Sequence, residues 1–310
     1  MTDTYTIYGY GLSYFTRKVE AAFELADLPA KYQPKTLFIR GRIERHGGTH
    51  QVPIIRTPDG RYMRDSTPIL EYLDGERSTD GFFPAGSEGI LVRLVEEWLD
   101  EWFPRVVLHY RWNYPECARW ASERLSTELA PWTPRFIRSY LGRQITRWGG
   151  RAVRSLGFEH ESVRTRAESL THRLCVALEE QLSLTKFALG DRSTAVDAVL
   201  LGAFRAHLCA DPIPRQKLET FPRIRKWVES PPRTSTEGKL STLEEPTPFA
   251  QMILKEMAGP YKTFMEANLT ALSAGEKITY IVVDGEEVSV LVRADPERSR
   301  CRAAQAIALL

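Results

Sequence analysis

The feature that most constrains the fold is a change in secondary-structure signal near residue 80 of this 310-residue chain. Before that point, short runs that favour strands alternate with helical patterns. After it, long helical segments follow one another without comparable strand signals. A chain of this length suggests about two domains, each large enough to bury a hydrophobic core. We therefore expect an α/β domain followed by an all-helical domain.

The first stretch predicts the order β-α-β-(α)-β-β-α. A strand at Tyr5–Gly9 precedes a helix from Tyr14 to Ala26, and a second strand lies around Tyr32–Leu37. Two more strands flank the turn Pro58-Asp59-Gly60. The last helix opens at Asp65-Ser66-Thr67-Pro68, where a proline in the first turn costs little. In the first helix, Lys18, Glu20 and Glu24 lie off the apolar face.

The second stretch predicts helices that include Ile90–Val107, Val163–Leu184 and Thr194–Cys209. The third of these is apolar nearly all round, which indicates a buried central helix. Thr194 and Asp197 supply a start that is similar to a capping box, with Asp in place of the usual Glu or Gln.

The last stretch follows a Pro- and Ser-rich linker at 231–248. Two helices, around Phe249–Met257 and Tyr261–Ser273, precede a hairpin whose two-residue turn is Asp284-Gly285. The sequence thus predicts three units: residues 1–80, residues 88–232, and a C-terminal extension at 249–310 with two helices and a β-hairpin.

The overall charge and composition indicate which classes of partner the chain is expected to bind. Lys and Arg number 42 against 40 Asp and Glu, so neither nucleic acid nor an anionic membrane is expected as a partner. No apolar run approaches the ~18–20 residues that span a bilayer. Strand-like sequence from Tyr5 leaves no room for a signal peptide. Four scattered cysteines lack redox or zinc spacing, so we predict a cytoplasmic protein without a metal site: Cys117, Cys175, Cys209 and Cys301.

Ser13 stands where the first strand passes through a glycine-containing loop into the first helix. One interpretation is that it only caps the helix, because serine is a favoured N-cap. The other is chemical. A helix N-terminus presents unpaired N–H groups and the positive end of the dipole, which favour the thiolate form of a thiol bound there. Ser13 would then donate a hydrogen bond to that thiolate without being the nucleophile itself.

Two further segments could recognise a peptide. Gln51-Val52-Pro53 enters a strand, and the backbone of Val52 could pair with an extended peptide, although a proline at a strand start is also structurally ordinary. Asp65-Ser66 could capture a carboxylate at a helix N-terminus while Asp65 pairs an ammonium, or could simply cap the helix. Together with Ser13 they suit a peptide with an amino-acid head and a thiol.

This ordered set resembles the glutathione transferase superfamily over about residues 5–230. The resemblance is carried by a helix-opening serine after the first strand, Val52-Pro53 before the third, Asp65-Ser66 after the fourth, and Gly190 with Thr194-x-x-Asp197 in the helical half. It implies a thioredoxin-like N-terminal domain, a helical C-terminal domain and a homodimer. It also implies glutathione as co-substrate, with Gln51, Val52 and a cis Pro53 at its cysteinyl part and Asp65 and Ser66 at its γ-glutamyl end.

The resemblance leaves three hydroxyls as candidates for activating the thiol. Ser13 falls where the plant-type and theta-like classes have an activating serine and the omega-like classes a cysteine, which favours conjugation over thiol exchange. Many relatives have a proline where this chain has Tyr14, and Tyr10 could supply the hydroxyl as a tyrosine does in mammalian-type classes. Ser13, Tyr10 and Tyr14 therefore remain as alternatives.

The second substrate is expected between the domains, where an aromatic group could form a hydrophobic pocket or simply be core: Trp98, Trp102, His109, Tyr110 and Trp112. The predicted function is a glutathione transferase that reacts the glutathione thiolate with a hydrophobic electrophile, as in detoxification. Isomerase, dehalogenase and etherase chemistry would use the same thiolate. The alternative is a non-catalytic scaffold or protein-interaction module that kept the fold.

Overall fold

The computed structural model describes residues 4–76, 81–233, 238–292 and 301–302. In its first part, strands and helices alternate as predicted, so the thioredoxin-like sheet-and-helix domain is confirmed. The strands are β1 (Tyr5–Gly9), β2 (Ala30–Pro34), β3 (Ile54–Arg56) and β4 (Tyr62–Arg64). The helices are α1 (Tyr14–Leu25), α2 (Arg40–Gly47) and α3 (Ser66–Glu76).

The sheet has the order β2-β1-β3-β4 and a register that gathers four chain segments at one edge. β1 runs parallel to β2 and antiparallel to β3, which in turn is antiparallel to β4. Gly9 pairs with Pro34, and Ile54 pairs with both Tyr8 and Arg64. The strands β1, β2 and β4 therefore end, and β3 begins, at the same edge, which we call the site edge.

Helices make up the next part of the chain, as predicted. They are α4 (Gly86–Glu101), α5 (Phe103–Asn113), α6 (Pro115–Leu129), α7 (Arg135–Arg154), α8 (Glu161–Leu184), α9 (Ala195–Ala203), α10 (Pro212–Lys217) and α11 (Pro222–Glu229). Two helices differ from the sequence prediction. The helix expected over Thr194–Cys209 becomes π-helical at Phe204–Leu208. The helix expected over Ile90–Val107 breaks at Trp102. The cause is Pro104, which lacks a backbone N–H and fits only the first turn of a new helix.

Helix α9 is the centre of the molecule, and all nine of its residues are buried. It packs against α1 so closely that a Cβ on Gly202 would lie 2.5 Å from the backbone nitrogen of Lys18. At its start, Thr194 and Asp197 form a capping box. The Asp197 carboxylate accepts from the N–H of Thr194 at 2.8 Å and from the N–H of Ala188 at 2.9 Å, which fixes the preceding loop on the helix.

The C-terminal extension packs back on the helical part. It contains α12 (Pro248–Glu256), a π-helical turn at Met257–Tyr261, α13 (Lys262–Ser273), β5 (Ile278–Val283) and β6 (Glu286–Leu291). Asp284 and Gly285 both have positive φ angles, 49° and 85°, as a tight two-residue hairpin turn requires. The rest of the predicted extension, residues 293–300 and 303–310, lies outside the described residues.

The α/β part is joined to the helical part by buried charges on α1 and α4. Lys18 Nζ lies 2.7 Å from Glu96 and 2.6 Å from Asp100, and all three side chains are buried. Thr67, at the start of α3, donates to Glu96 at 2.7 Å. We call these four residues the Lys18 cluster. The charges of this cluster are buried away from water, so each one is stabilised by the opposite charges beside it and not by solvent.

Glu97, next to the cluster on α4, should make stability depend on pH. Its carboxylate is buried, accepts from the Tyr261 hydroxyl at 3.3 Å, and lies 3.2 Å from Arg302 Nη2. Burial dominates and raises the pKa of Glu97 to about 8. Since this value lies above the unfolded value of ~4.3, the stabilisation is complete below about pH 4 and is lost as pH rises through about 8.

We therefore expect the urea midpoint to fall when pH rises from about 6 to about 8.5. The matched variant Glu97→Gln keeps the shape of the side chain but removes its titration, so its midpoint should fall less over the same interval. An equal fall in the variant and the unmodified protein would show that Glu97 is not the group responsible.

Candidate functional site

Ser13 is the N-cap of α1 and lies in the loop that leaves β1 at the site edge. Its backbone is extended, and its Oγ accepts a hydrogen bond from the N–H of Thr16 at 3.3 Å. The side chain is half-buried and donates to no other described residue. Because a hydroxyl can accept and donate at once, its proton remains available to an acceptor at the N-terminus of α1.

Two arginines hold the loop that carries Ser13. Arg17 Nε donates to the Gly11 carbonyl at 2.8 Å, and Arg111 Nη1 donates to the Leu12 carbonyl at 2.6 Å. Arg111 is buried on α5 and is itself paired with Asp211, which lies 3.1 Å from its Nε. The position of Ser13 is thus set in part by the helical domain, through a contact that spans 99 residues of sequence and that sequence analysis missed.

Glu128 is a second residue that sequence analysis missed. From the end of α6 its two carboxylate oxygens accept from the N–H of Gly11, each at 3.0 Å, and the Tyr32 hydroxyl also donates to it. The next residue, Leu129, accepts at its carbonyl from the N–H of Leu37 at 2.9 Å. The end of α6 therefore lies against the loops that follow both β1 and β2.

The two tyrosines predicted as alternatives to Ser13 lie in different environments. Tyr10 is half-buried beside Ser13, and burial together with Glu44 raises its pKa, which keeps the hydroxyl protonated as a donor. Tyr14 is buried, and its hydroxyl donates to the Leu99 carbonyl at 2.8 Å. This corrects the expectation for Tyr14, because a buried hydroxyl already bonded across the domain boundary is not open to a thiol.

The segment that precedes β3 leaves a free backbone at the site edge. The Val52–Pro53 peptide bond is cis, as the resemblance implies. Val52 is half-buried, and neither its N–H nor its carbonyl is bonded to another described residue, whereas Gln51 is exposed. Lys35, which follows β2, holds this segment: its Nζ donates to the His50 carbonyl at 2.5 Å. Val52 can therefore pair with the backbone of an extended peptide.

Asp65 and Ser66 follow β4 and begin α3. Asp65 is exposed and has a φ of 71°, in the left-handed region that residues other than glycine rarely adopt. Such strained conformations are common at ligand sites. Ser66 is buried at the helix N-terminus. Because Ile54 pairs with Arg64, these two residues lie beside Pro53.

The site edge thus brings together the predicted glutathione-binding segments, but the predicted aromatic pocket is not assembled. Trp98 is core and stacks on Phe103 at 5.9 Å. His109 and Tyr110 are buried under α8, near Glu168, and Trp112 packs against Gly149 on α7. Trp102 lines a different cavity, whose walls include residues of α5, α8 and the C-terminal extension. The break at Pro104 redirects the chain, so residues at helical spacing do not share one face.

The architecture is a thioredoxin-like domain joined to an all-helical domain that contacts its site edge. Models of the glutathione S-transferase N-terminal and C-terminal domains match residues 7–80 and 141–230. The matches cover more than half of the chain, which therefore belongs to the glutathione S-transferase superfamily. This membership supports a glutathione-transferase-like function at the level of the class.

Solved structures to which the chain is similar include several bacterial glutathione S-transferases. One from Rhodospirillum rubrum is 17% identical, covers 80% of this chain and 99% of its own, and gives a TM-score of 0.48. Another, from Methylobacterium radiotolerans and in complex with glutathione sulfonate, is 16% identical to this chain. The match covers 75% of this chain and 96% of that protein, with a TM-score of 0.43. No curated protein matches the chain.

The described ranges contain neither a cluster of metal-ligating side chains nor a helix able to cross a membrane. No group of three or more His, Cys, Asp or Glu side chains in them could hold a metal ion. None of the helices in those ranges combines the length and the apolar character needed to cross a bilayer.

Proposed function

We propose that this protein binds glutathione along the site edge and directs its thiolate at a small hydrophobic electrophile. The observation that carries the proposal is the register, which places the Ser13 loop, the free backbone of Val52 and the N-terminus of α3 side by side. A tripeptide bound across these segments contacts the Ser13 hydroxyl as a donor, the Val52 backbone as a strand-like partner, and the N-terminus of α3. Each matches one part of glutathione.

In this proposal, one group of residues binds glutathione and another activates its thiol. Val52 pairs with the cysteinyl backbone, with Gln51 and Pro53 beside it. Asp65 pairs with the γ-glutamyl ammonium, while Ser66 and the α3 N–H groups hold the carboxylate.

The thiol then lies at the N-terminus of α1. Ser13 donates its free proton to the sulfur, and the helix dipole favours the thiolate. Tyr10 is the alternative donor. The thiol loses its proton to solvent, and the thiolate sulfur attacks an electrophilic carbon. A C–S bond forms as the bond from that carbon to its leaving group breaks, and the leaving group departs as an anion with the electron pair. Alignment of the two reactants contributes to the rate.

The proposal includes a homodimer in the cytoplasm. Conjugation, isomerisation, dehalogenation and ether cleavage all start from the same thiolate. Glu128 bears on the chemistry, because its carboxylate on Gly11 places negative charge near the proposed thiolate and would oppose its formation. Arg17 of α1 and Arg111 of α5, which donate to carbonyls of the same loop, act in the opposite sense.

The test is a titration of bound glutathione by thiolate absorbance, together with turnover of a reactive aryl halide. Ser13→Ala should raise the pKa of the bound thiol and lower kcat by about 10²-fold, the usual effect of removing one donor to a developing charge. Ser139→Ala, on the exposed surface of α7, is the matched control and should leave both unchanged. Wild-type protein that fails to bind millimolar glutathione would contradict the proposal and favour the scaffold alternative.

A further inference from the structure

Helix α7 concentrates positive charge in a chain whose total charge is nearly balanced. The sequence from Leu129 to Phe158 contains no Asp or Glu, although the whole chain has 40 of them against 42 Lys and Arg. Within that run, α7 carries six arginines: Arg135, Arg138, Arg143, Arg147, Arg151 and Arg154. The total charge averages over this uneven distribution, so it does not describe the surface that α7 presents.

The six guanidinium groups of α7 have no carboxylate partner within the described part of the chain. Exposed arginines on other helices do have one: Arg93 lies 3.2 Å from Glu71, and Arg173 lies 2.6 Å from Glu256. Five of the six on α7 are exposed, and Arg138 is half-buried. Like charges one turn apart on a helix repel each other, so an anionic partner along α7 would be stabilising.

Aromatic rings lie among these arginines on the outer face of α7. Phe136, Tyr140 and Trp148 are 73%, 55% and 56% exposed. Phe136 and Tyr140 are one turn apart, and the Arg143 guanidinium lies 6.0 Å from the centre of the Tyr140 ring. Large exposed rings that are grouped on one face, instead of scattered singly, indicate a site of interaction.

A groove of about 450 Å³ runs between α6 and α7, beside this face. It is lined by Arg119 of α6, by Arg135, Arg138 and Arg143 of α7, by five Ser and Thr hydroxyls, and by one carboxylate, that of Glu123. Arginine guanidinium groups and hydroxyls are the side-chain groups that commonly bind phosphate oxygens. The groove is therefore suited to a phosphate-bearing ligand.

The length and pattern of the surface favour a polymer over a mononucleotide or a bilayer. Arg135 and Arg154 are about 28 Å apart along the helix, more than a single nucleotide covers. A helix that lies on a bilayer presents a continuous apolar face, whereas on the exposed face of α7 rings and charges are mixed. The opposite face of α7 is already packed, with Gly149 directly against the Trp112 ring.

We propose that α7 and the α6–α7 groove bind a single-stranded nucleic acid. Its phosphates contact the arginines, and its unpaired bases stack on Phe136 and Tyr140. This partner differs from the expectation drawn from total charge, because the positive charge is local. The two matched family ranges end at residue 80 and resume at residue 141, so α6 lies outside both. The site does not involve the glutathione-binding segments and does not depend on the proposed transferase activity.

The first test is fluorescence anisotropy with a labelled oligothymidine of about 20 nucleotides, longer than the ~4–16 nucleotides that one binding fold contacts. Wild-type protein should bind it, and the affinity should fall as salt is raised, because arginine–phosphate contacts release counterions. An abasic strand of the same length keeps the phosphates but cannot stack, so it should bind at least about tenfold more weakly. Equal binding of the two strands by wild-type protein would overturn the proposal, and this comparison needs no variant.

Two pairs of surface substitutions separate stacking from charge. Phe136→Ala with Tyr140→Ala should weaken binding of the oligothymidine by about tenfold and leave the abasic strand nearly unchanged. Arg143→Gln with Arg147→Gln should weaken both strands. It should also make the slope of log affinity against log salt shallower by about 0.7 for each phosphate contact that is lost.

The matched control removes the same charge from another exposed surface. Arg225→Gln with Lys226→Gln, on α11, should bind the oligothymidine as wild type does. An equal loss in the control and in the α7 arginine pair would overturn the assignment to α7. Wild-type protein that sediments with phosphatidylglycerol vesicles but does not bind the oligothymidine would overturn the proposal in favour of an anionic bilayer. Ser13→Ala should bind the strand as wild type does, so failure of the glutathione site would leave this test intact.

Discussion

Lys18→Met is expected to lower the free energy of unfolding by about 3–5 kcal/mol, the usual cost of removing one partner from a buried ion pair. The ammonium lies between Glu96 and Asp100 at 2.7 Å and 2.6 Å, with none of the lysine side chain exposed. Burial alone would lower the pKa of Lys18, but attraction to Asp100 and Glu96 outweighs it, so the pKa is raised and the charge is kept. Methionine has a similar volume but leaves both carboxyls without this cation, and Arg302 contacts only Glu96 of the two, at 2.6 Å.

Urea unfolding followed by circular dichroism measures this change. The control is Arg93→Met, which breaks the exposed pair with Glu71 and should cost less than about 1 kcal/mol. Adding Glu96→Gln and Asp100→Asn to Lys18→Met removes the uncompensated carboxyls and should recover part of the loss. If the free energy of unfolding of Lys18→Met alone lies within about 1 kcal/mol of the wild-type value, the prediction is contradicted. Water or Arg302 then stabilises the two carboxylates without Lys18.

Local signals in the sequence were enough to predict most of the fold. The strand at Tyr5–Gly9 has the predicted bounds. Asp284-Gly285 forms the predicted turn, because its conformation depends on two adjacent residues alone. The segments around Ser13, Pro53 and Ser66 could be found for the same reason: each is a short pattern at a strand end.

What could not be predicted depends on contacts between distant parts of the chain. The helical pattern predicts that Lys18 lies off the apolar face of α1, and the structure buries it fully because α4 brings two carboxyls against it. Glu128 meets Gly11 across 117 residues of sequence, and no local pattern marks that pairing. The five aromatic residues do not form one pocket for another reason: Pro104 breaks the helix predicted over Ile90–Val107, so side chains at helical spacing on either side of it do not share a face.

Arg111→Met is expected to reduce both stability and activity, because this buried side chain links the core of the helical domain to the Ser13 loop. Its guanidinium pairs with Asp211 at 3.1 Å and donates to the carbonyls of Leu12, at 2.6 Å, and Ala206. Burial lowers the pKa of Arg111 while Asp211 opposes the shift. Removing the cation leaves Asp211 buried and unpaired at a cost of about 3–5 kcal/mol.

The effect on activity separates positioning from folding. Measured on folded protein at low temperature, Arg111→Met should raise the pKa of the bound glutathione thiol, as Ser13→Ala does. The reason is that the Leu12 carbonyl loses its hydrogen bond, which lets Ser13 move. Arg111→Lys keeps the charge beside Asp211 but lacks the planar fork that reaches two carbonyls, so it should recover stability more than activity. Equal recovery of both by Arg111→Lys would show that the charge alone matters, and a thiol pKa unchanged in Arg111→Met would show that the Ser13 loop keeps its position without this contact.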